Sequence, residues 1–152
     1  MKKTVRNIGV YALFLVFSHP HTACAMAEPS FTKNISPITK IQLEDYLKRH
    51  GKTPIEQFFV AEIDLNEDGI PELITKKLPC DKKTKFCDYS ILAKKDKTLI
   101  NLLSISAKNI AVSDTKSDGI HDILAIRSEK NDYKYERYKW SPEDMTFIQS
   151  ER

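Results

Sequence analysis

Residues 64–72, with the sequence DLNEDGIPE, carry the side chains whose types and spacing most clearly suggest chemistry. Oxygen donors stand at the first, third, fifth and ninth positions, and a glycine at the sixth allows a sharp turn. Calcium is a hard cation that binds such oxygens, and three carboxylates in one loop repel each other without a cation. The predicted ligands of a weak structural Ca²⁺ ion are Asp64, Asn66, Asp68, the carbonyl of Ile70, and Glu72. An ion-free hairpin turn is the open alternative, because Asp, Asn and Gly are ordinary turn residues.

A degenerate second copy of this pattern occupies residues 110–124. Asp114, Asp118 and Gly119 match the first, fifth and sixth positions, and Asp122 matches the ninth. The third position is Lys116, whose ammonium repels a cation, so we expect a turn without strong metal binding.

The first loop resembles the D-x-N-x-D-G-x-x-D/E hairpins of FG-GAP and VCBS-type repeats. The resemblance covers residues 60–75 well and extends in degenerate form to residues 110–124. It implies a calcium-binding hairpin of a kind found in β-propellers and in many exported bacterial proteins. Two loops are too few for a propeller, so the resemblance is to the hairpin module. The loop departs from an EF-hand, since Thr75 stands where that motif has a bidentate glutamate.

Residues 1–27 have the layout of a secretory signal peptide that is cleaved on export. A basic start precedes an apolar run at 8–17, which is shorter than the about 20 residues that span a membrane. Cleavage sites fit after Ala27 and after Ala25. A lipoprotein signal would place leucine three residues before Cys24, and His21 stands there instead, which argues against a lipid anchor. The sequence therefore predicts a periplasmic or secreted protein without a membrane span in its mature form.

Length and charge narrow the function class once the leader is set aside. A chain of 152 residues accommodates one domain. The leader contains three basic residues and no acidic ones, so 24 − 3 = 21 basic residues remain against 21 acidic residues, and the mature net charge is 0. A net charge of 0 gives no reason to expect nucleic-acid binding. Cys80 and Cys87 remain as a pair, which predicts a disulfide in an exported chain, and too few histidines accompany them for a zinc site.

These residues must be positioned by a helix and a set of short strands. We predict a flexible arm at 28–35 and a single domain at 36–152. Ser36 caps a helix at Pro37–His50, and Gly51 ends it in a left-handed conformation. Its predicted apolar face consists of Ile38, Ile41, Leu43, Tyr46 and Leu47. Alternating patterns with frequent turns predict an α+β fold in which this N-terminal helix packs on an antiparallel β-meander of about six to eight short strands, with one disulfide.

The sequence contains no recognisable catalytic signature, and we expect no enzymatic activity. Ser113, His121 and Asp122 are close in sequence only, which does not make a triad. The disulfide loop carries Lys82, Lys83 and Lys85, which follow Lys76 and Lys77. These lysines either contact a partner or are solvated and protect a sheet edge.

We therefore expect a non-enzymatic exported binding protein with a protein partner in the cell envelope. By analogy, inhibitor or immunity-type proteins have this character. The alternatives are a structural or accessory component of an envelope or secretion assembly, and a hydrolase whose site the sequence hides.

Overall fold

The structure is a computed structural model that describes residues 26–51, 53–128 and 134–150. The predicted leader up to residue 25, with Cys24, lies outside these ranges. The described residues contain one α-helix, α1 (Pro37–His50), and a short 3₁₀ helix at Ile55–Gln57. Their strands are β1 (Met26–Ala27), β2 (Phe58–Ile63), β3 (Glu72–Lys77), β4 (Cys87–Lys95), β5 (Thr98–Ala107), β6 (Asn109–Ser117), β7 (Ile120–Ser128), β8 (Lys134–Ser141) and β9 (Thr146–Gln149). No helix in the described residues is both long and apolar enough to cross a membrane.

The strands form two antiparallel sheets whose inner faces pack together. Sheet I has the order β1-β6-β7-β8-β9 and sheet II has the order β2-β3-β4-β5. The predicted single meander of about six to eight strands is therefore wrong in detail, since nine strands in two sheets are described. The chain leaves sheet II at the end of β5 and returns to sheet I, which already contains β1, at β6. Alternation of side chains cannot reveal this change of sheet. The helix is also not the first element, because β1 precedes it and is too short to show a pattern.

Alternating side chains build the core between the two sheets. Ile74 and Ile91 of sheet II and Ile110 and Ile123 of sheet I are fully buried in one cluster. The opposite face of sheet II is covered by α1, where Leu43 is fully buried in a second cluster. One face of sheet II thus meets sheet I and the other meets the helix, which confirms an antiparallel architecture with a single described helix.

The predicted bounds of α1 are confirmed, and its predicted apolar face is right in part. Leu43 and Tyr46 are buried and Leu47 packs against their cluster, as predicted, but Ile38 and Ile41 are 70% and 66% exposed, and Thr39 is buried instead. The hydroxyl of Thr39 donates to Oε1 of Glu62 on β2 at 2.7 Å, which fixes the rotation of the helix. Gly51 ends the helix, and its amide donates to the carbonyl of Leu47. Its φ of 170° is extended rather than left-handed.

The segment between β1 and α1, predicted as a flexible arm, contacts sheet II. Phe31 packs on Tyr89 with ring centroids 5.9 Å apart. Thr32 and Val60 exchange two backbone hydrogen bonds of 2.9 Å. These bonds occupy part of the otherwise unpaired edge of β2.

Candidate functional site

Both Asp–Gly loops lie at the same end of the sandwich. The first loop, residues 64–71, joins β2 to β3, and the second, at Asp118 and Gly119, joins β6 to β7. The amide of His121 donates to the carbonyl of Leu65 at 2.9 Å, so the two loops are in contact. Sequence similarity alone did not predict this juxtaposition, because the loops belong to different sheets.

The first loop is held in shape by its own amides. The two carboxylate oxygens of Asp64 accept from the amides of Asp68 at 3.1 Å and Gly69 at 2.8 Å. Asp68 accepts from the amide of Ile70 at 2.7 Å and from the side-chain amide of Asn66 at 2.9 Å. Gly69 has a φ of 86°, the left-handed region that favours glycine. The loop therefore forms its hydrogen bonds without requiring an ion.

Glu72 lies beneath this loop and is only 8% exposed. Its Oε2 accepts from the amide of Leu65 at 2.9 Å. Burial raises the pKa of the Glu72 carboxyl, and the nearby charges of Asp68 and Asp64 raise it further. A cation bound near these three carboxylates would relieve both effects.

The predicted calcium ligands fit the ion in donor type and less well in arrangement. Their carboxylate and amide oxygens suit calcium, and an oxygen that accepts one amide retains a second lone pair. However, within the described ranges no three His, Cys, Asp or Glu side chains are grouped so that they could hold a metal ion. The side chain of Ile70 is 52% exposed, and its amide is bonded within the loop. Calcium binding stays a prediction.

The second loop is a two-residue hairpin turn. Asp118 and Gly119 have φ values of 49° and 82°, as the tight turns with two positive φ values require. Asp122 is fully buried, and its Oδ2 lies 3.4 Å from a guanidinium nitrogen of Arg137. The matching ninth positions, Glu72 and Asp122, therefore have different partners.

Glu67 connects the two loops and was missed by the sequence reasoning. Its carboxylate lies 2.6 Å from the ammonium of Lys116 and 3.5 Å from Nε2 of His121. The hydrogen bond and charge of Lys116 lower the pKa of the exposed Glu67 carboxyl, with a smaller contribution from His121. The sequence did offer a hint of this ion pair. Lys116 stands in the degenerate copy, and Glu67 in the first loop had no assigned role.

The disulfide loop, residues 79–87, is the second candidate site and is called the stapled loop. Cys80 and Cys87 are placed as a disulfide pair, as predicted, with their Cα atoms 4.2 Å apart. Asp81 organises the interior of the loop. Its Oδ1 accepts from the amides of Lys83 at 2.9 Å and Thr84 at 2.7 Å, and from the Thr84 hydroxyl at 2.8 Å. These bonds hold the pKa of the Asp81 carboxyl below its usual range.

Two further backbone bonds close the stapled loop. The amide of Asp81 donates to the carbonyl of Phe86 at 2.7 Å, and the amide of Lys85 donates to the carbonyl of Asp81 at 2.9 Å. The sequence reasoning did not assign Asp81 a role, although an aspartate followed three residues later by a threonine is a recognisable turn signal. The predicted contact residues Lys82, Lys83 and Lys85 are all exposed on this framework.

His50 and His121, the histidines that the structure describes, are not placed with the partners of a catalytic triad among the described residues. Nδ1 of His121 lies 2.7 Å from the carbonyl oxygen of Ser113, not from its hydroxyl. His50 stacks on Tyr46 with centroids 4.3 Å apart and lines a cavity of about 180 Å³ that Asp88 also lines. Within the described residues no ion pair joins His50 to a carboxylate. The absence of enzymatic activity stays a prediction.

No family model, no curated protein and no solved structure matches this chain.

Proposed function

We propose that this protein is a non-enzymatic exported binding protein that contacts its partner through the stapled loop. The observation that carries the proposal is that the stapled loop is held in one conformation and exposes its lysines. A disulfide pair closes the loop, and five hydrogen bonds of Asp81 and Lys85 hold its interior while the three loop lysines face solvent.

A loop that is ordered before binding loses little conformational entropy when a partner docks. The cavities of about 360 and 420 Å³ in the described residues lie elsewhere, beside α1 and the 3₁₀ helix. The smaller cavity of about 180 Å³ is lined by Lys77 and Asp88 beside the loop, but by none of residues 79–87. A projecting loop whose own residues line none of these cavities favours contact with a protein over capture of a small molecule. An inhibitor or immunity-type protein works in this way, and that comparison is an analogy.

The compartment supports the same proposal. Residues 1–27 resemble a signal peptide, and a disulfide persists in an oxidising compartment such as the periplasm. The partner would then be a protein of the cell envelope or the extracellular medium.

The first Asp–Gly loop has a separate, structural role in the proposal as a weak calcium loop similar to FG-GAP and VCBS-type hairpins. The buried Glu72 beside Asp64 and Asp68 supports it, because a divalent ion would offset their repulsion. Calcium at about ten times its dissociation constant should raise the free energy of unfolding by about 1.4 kcal/mol. Asp68→Asn removes one charge and should abolish the rise in melting temperature. An equal rise in wild type and variant, or none in wild type at millimolar calcium, would reject the calcium role.

The binding role is tested by co-purification from an envelope extract. A tagged wild-type protein should retain one dominant protein partner. The triple variant K82A/K83A/K85A should lose it. The control K94A/K95A/K97A, altered at the end of β4 and in the turn that follows it, should retain it. Loss of the partner in both variants, or in neither, would contradict a contact through the stapled loop.

A further inference from the structure

Charge is unequally distributed along the strands. The loops that follow β2, β4, β6 and β8 lie at one end of the sandwich, and they include the two Asp–Gly loops and the turn at Asp96. The stapled loop lies at the opposite end, which is called the stapled end. Basic residues at the stapled end are Lys76, Lys77, Lys82, Lys83, Lys85, Lys108, Arg127 and Lys134. The described acidic residues there are Glu28, Glu56, Asp81, Asp88 and Glu136.

The acidic residues only partly offset the positive charge of the stapled loop. Asp81 accepts hydrogen bonds from the loop's own amides, and it has a smaller charge interaction with Lys85. Glu136 is bound by Arg127 at 2.5 Å and by the hydroxyl of Tyr138 at 3.1 Å. Among the described residues, none of the ion pairs includes a lysine of the stapled loop.

Protection of a sheet edge does not explain these lysines. The stapled loop joins β3 to β4, and both are interior strands of sheet II. The edge strand β5 is protected by other groups. The Thr146 hydroxyl donates to the carbonyl of Leu102, and the guanidinium of Arg127 donates to the carbonyl of Ser106. The loop lysines are therefore available to an external partner.

Phe31, Tyr89 and Phe86 near the stapled loop already have cationic partners, which leaves Tyr135 on β8, 42% exposed, as a single exposed ring at this end among the described residues. The ammonium of Lys76 lies 5.7 Å from the ring centroid of Phe31 and 5.8 Å from that of Tyr89. The guanidinium carbon of Arg127 lies 5.6 Å from the ring centroid of Phe86. Bases of a single-stranded nucleic acid would need free aromatic faces on which to stack. The large exposed hydrophobic residues in the described ranges lie outside residues 76–86, so the loop also has no apolar wedge for a bilayer.

We infer that the stapled end recognises an acidic surface on a protein, with Lys82, Lys83 and Lys85 as the contacting charges. A chain whose mature net charge is 0 lacks the overall field that draws a protein to an extended polyanion. A local, rigid group of lysines instead matches a local group of carboxylates. This inference rests on the proposed binding function and adds the chemistry of the partner.

The test measures binding of the full mature protein to three probes at about 0.15 M salt, where the Debye length of about 8 Å separates the two ends of the molecule. The probes are poly-L-glutamate, phosphatidylglycerol vesicles and a single-stranded oligonucleotide. Wild type should bind polyglutamate most tightly, and K82E/K83E/K85E should weaken that binding by about tenfold or more, because attraction becomes repulsion at three sites. The control K94E/K95E/K97E makes the same charge change at the opposite end and should stay within about twofold of wild type.

Three results would overturn the inference. These are tighter binding to vesicles or to the oligonucleotide, equal weakening by the two variants, and no measurable binding to polyglutamate. Suppose that one of these results occurs while K82A/K83A/K85A still loses the partner from the envelope extract and K94A/K95A/K97A still retains it. In that case the binding function stands, and only the acidic character of the partner is rejected. Circular dichroism of both variants should match wild type, since the replaced side chains lie outside the core clusters.

Discussion

Reduction of the Cys80–Cys87 pair should destabilise the protein without dismantling the stapled loop. The cysteines are 7 positions apart, so the disulfide closes a loop of eight residues counting both ends. In the chain-entropy model a loop of this size contributes about 2.5 kcal/mol by restricting the unfolded chain. For a domain of this length, that loss lowers the melting temperature by roughly 10 °C.

The native loop should persist after reduction, because the hydrogen bonds of Asp81 to the amides of Lys83 and Thr84 do not depend on the sulfur atoms. Chemical denaturation with and without a phosphine reductant measures the free-energy loss. Amide chemical shifts of Lys83 and Thr84 report whether the loop remains folded. C80A/C87A in non-reducing buffer is the matched variant, and it should lose slightly more because Cys87 is buried.

Two results would refute this reasoning. A change below about 0.5 kcal/mol on reduction would mean that the pair does not restrict the unfolded chain as the entropy model requires. Collapse of the Lys83 and Thr84 amide shifts to random-coil values would mean that Asp81 does not organise the loop, which would remove the pre-ordered surface from the proposed function.

Three further predictions follow from individual contacts. Glu72→Gln should raise the melting temperature at pH 7, because burial raises the folded-state pKa of Glu72 and so disfavours its charged form in the folded protein. The advantage should vanish below about pH 4, where the carboxyl is protonated in both the folded and the unfolded chain. A series of melting curves from acid to neutral pH that shows the opposite trend would refute this. Of the two predicted cleavage sites, the one after Ala25 should be used rather than the one after Ala27, because Met26 and Ala27 form β1, which pairs with β6. Intact mass measurement of the exported protein decides, and a mature chain that begins at Glu28 would contradict this prediction. Leu43→Ala should cost about 2–5 kcal/mol in denaturation, whereas Ile41→Ala should cost less than about 0.5 kcal/mol, and comparable losses would place Ile41 in the core.

Local signals in the sequence predicted where a helix begins and ends better than which of its faces is buried. Ser36 and Pro37 mark the start of α1, and Gly51 marks its end, because capping is a property of neighbouring residues. The buried face depends on a distant contact between Thr39 and Glu62, so the exposed positions of Ile38 and Ile41 could not be read from helical spacing.

The candidate sites show the same difference between local features, which the sequence predicted, and distant contacts, which it did not. Cys80 and Cys87 were paired correctly because the predicted leader set Cys24 aside and the two other cysteines lie close in sequence. The contact of Glu67 with Lys116 and His121 joins loops of different sheets, and no local pattern carries that information. The division into two sheets escaped prediction for the same reason, since alternation shows that a strand has two faces but not which sheet covers each face.

A photo-crosslinking amino acid placed at Lys83 tests the central claim most directly. In cells that export the protein, irradiation should yield one discrete adduct with an acidic envelope or secreted protein. The same amino acid at Lys97, on the turn between β4 and β5, should yield no such adduct. The same adduct from both positions, or an adduct from Lys97 alone, would contradict a partner contact through the stapled loop.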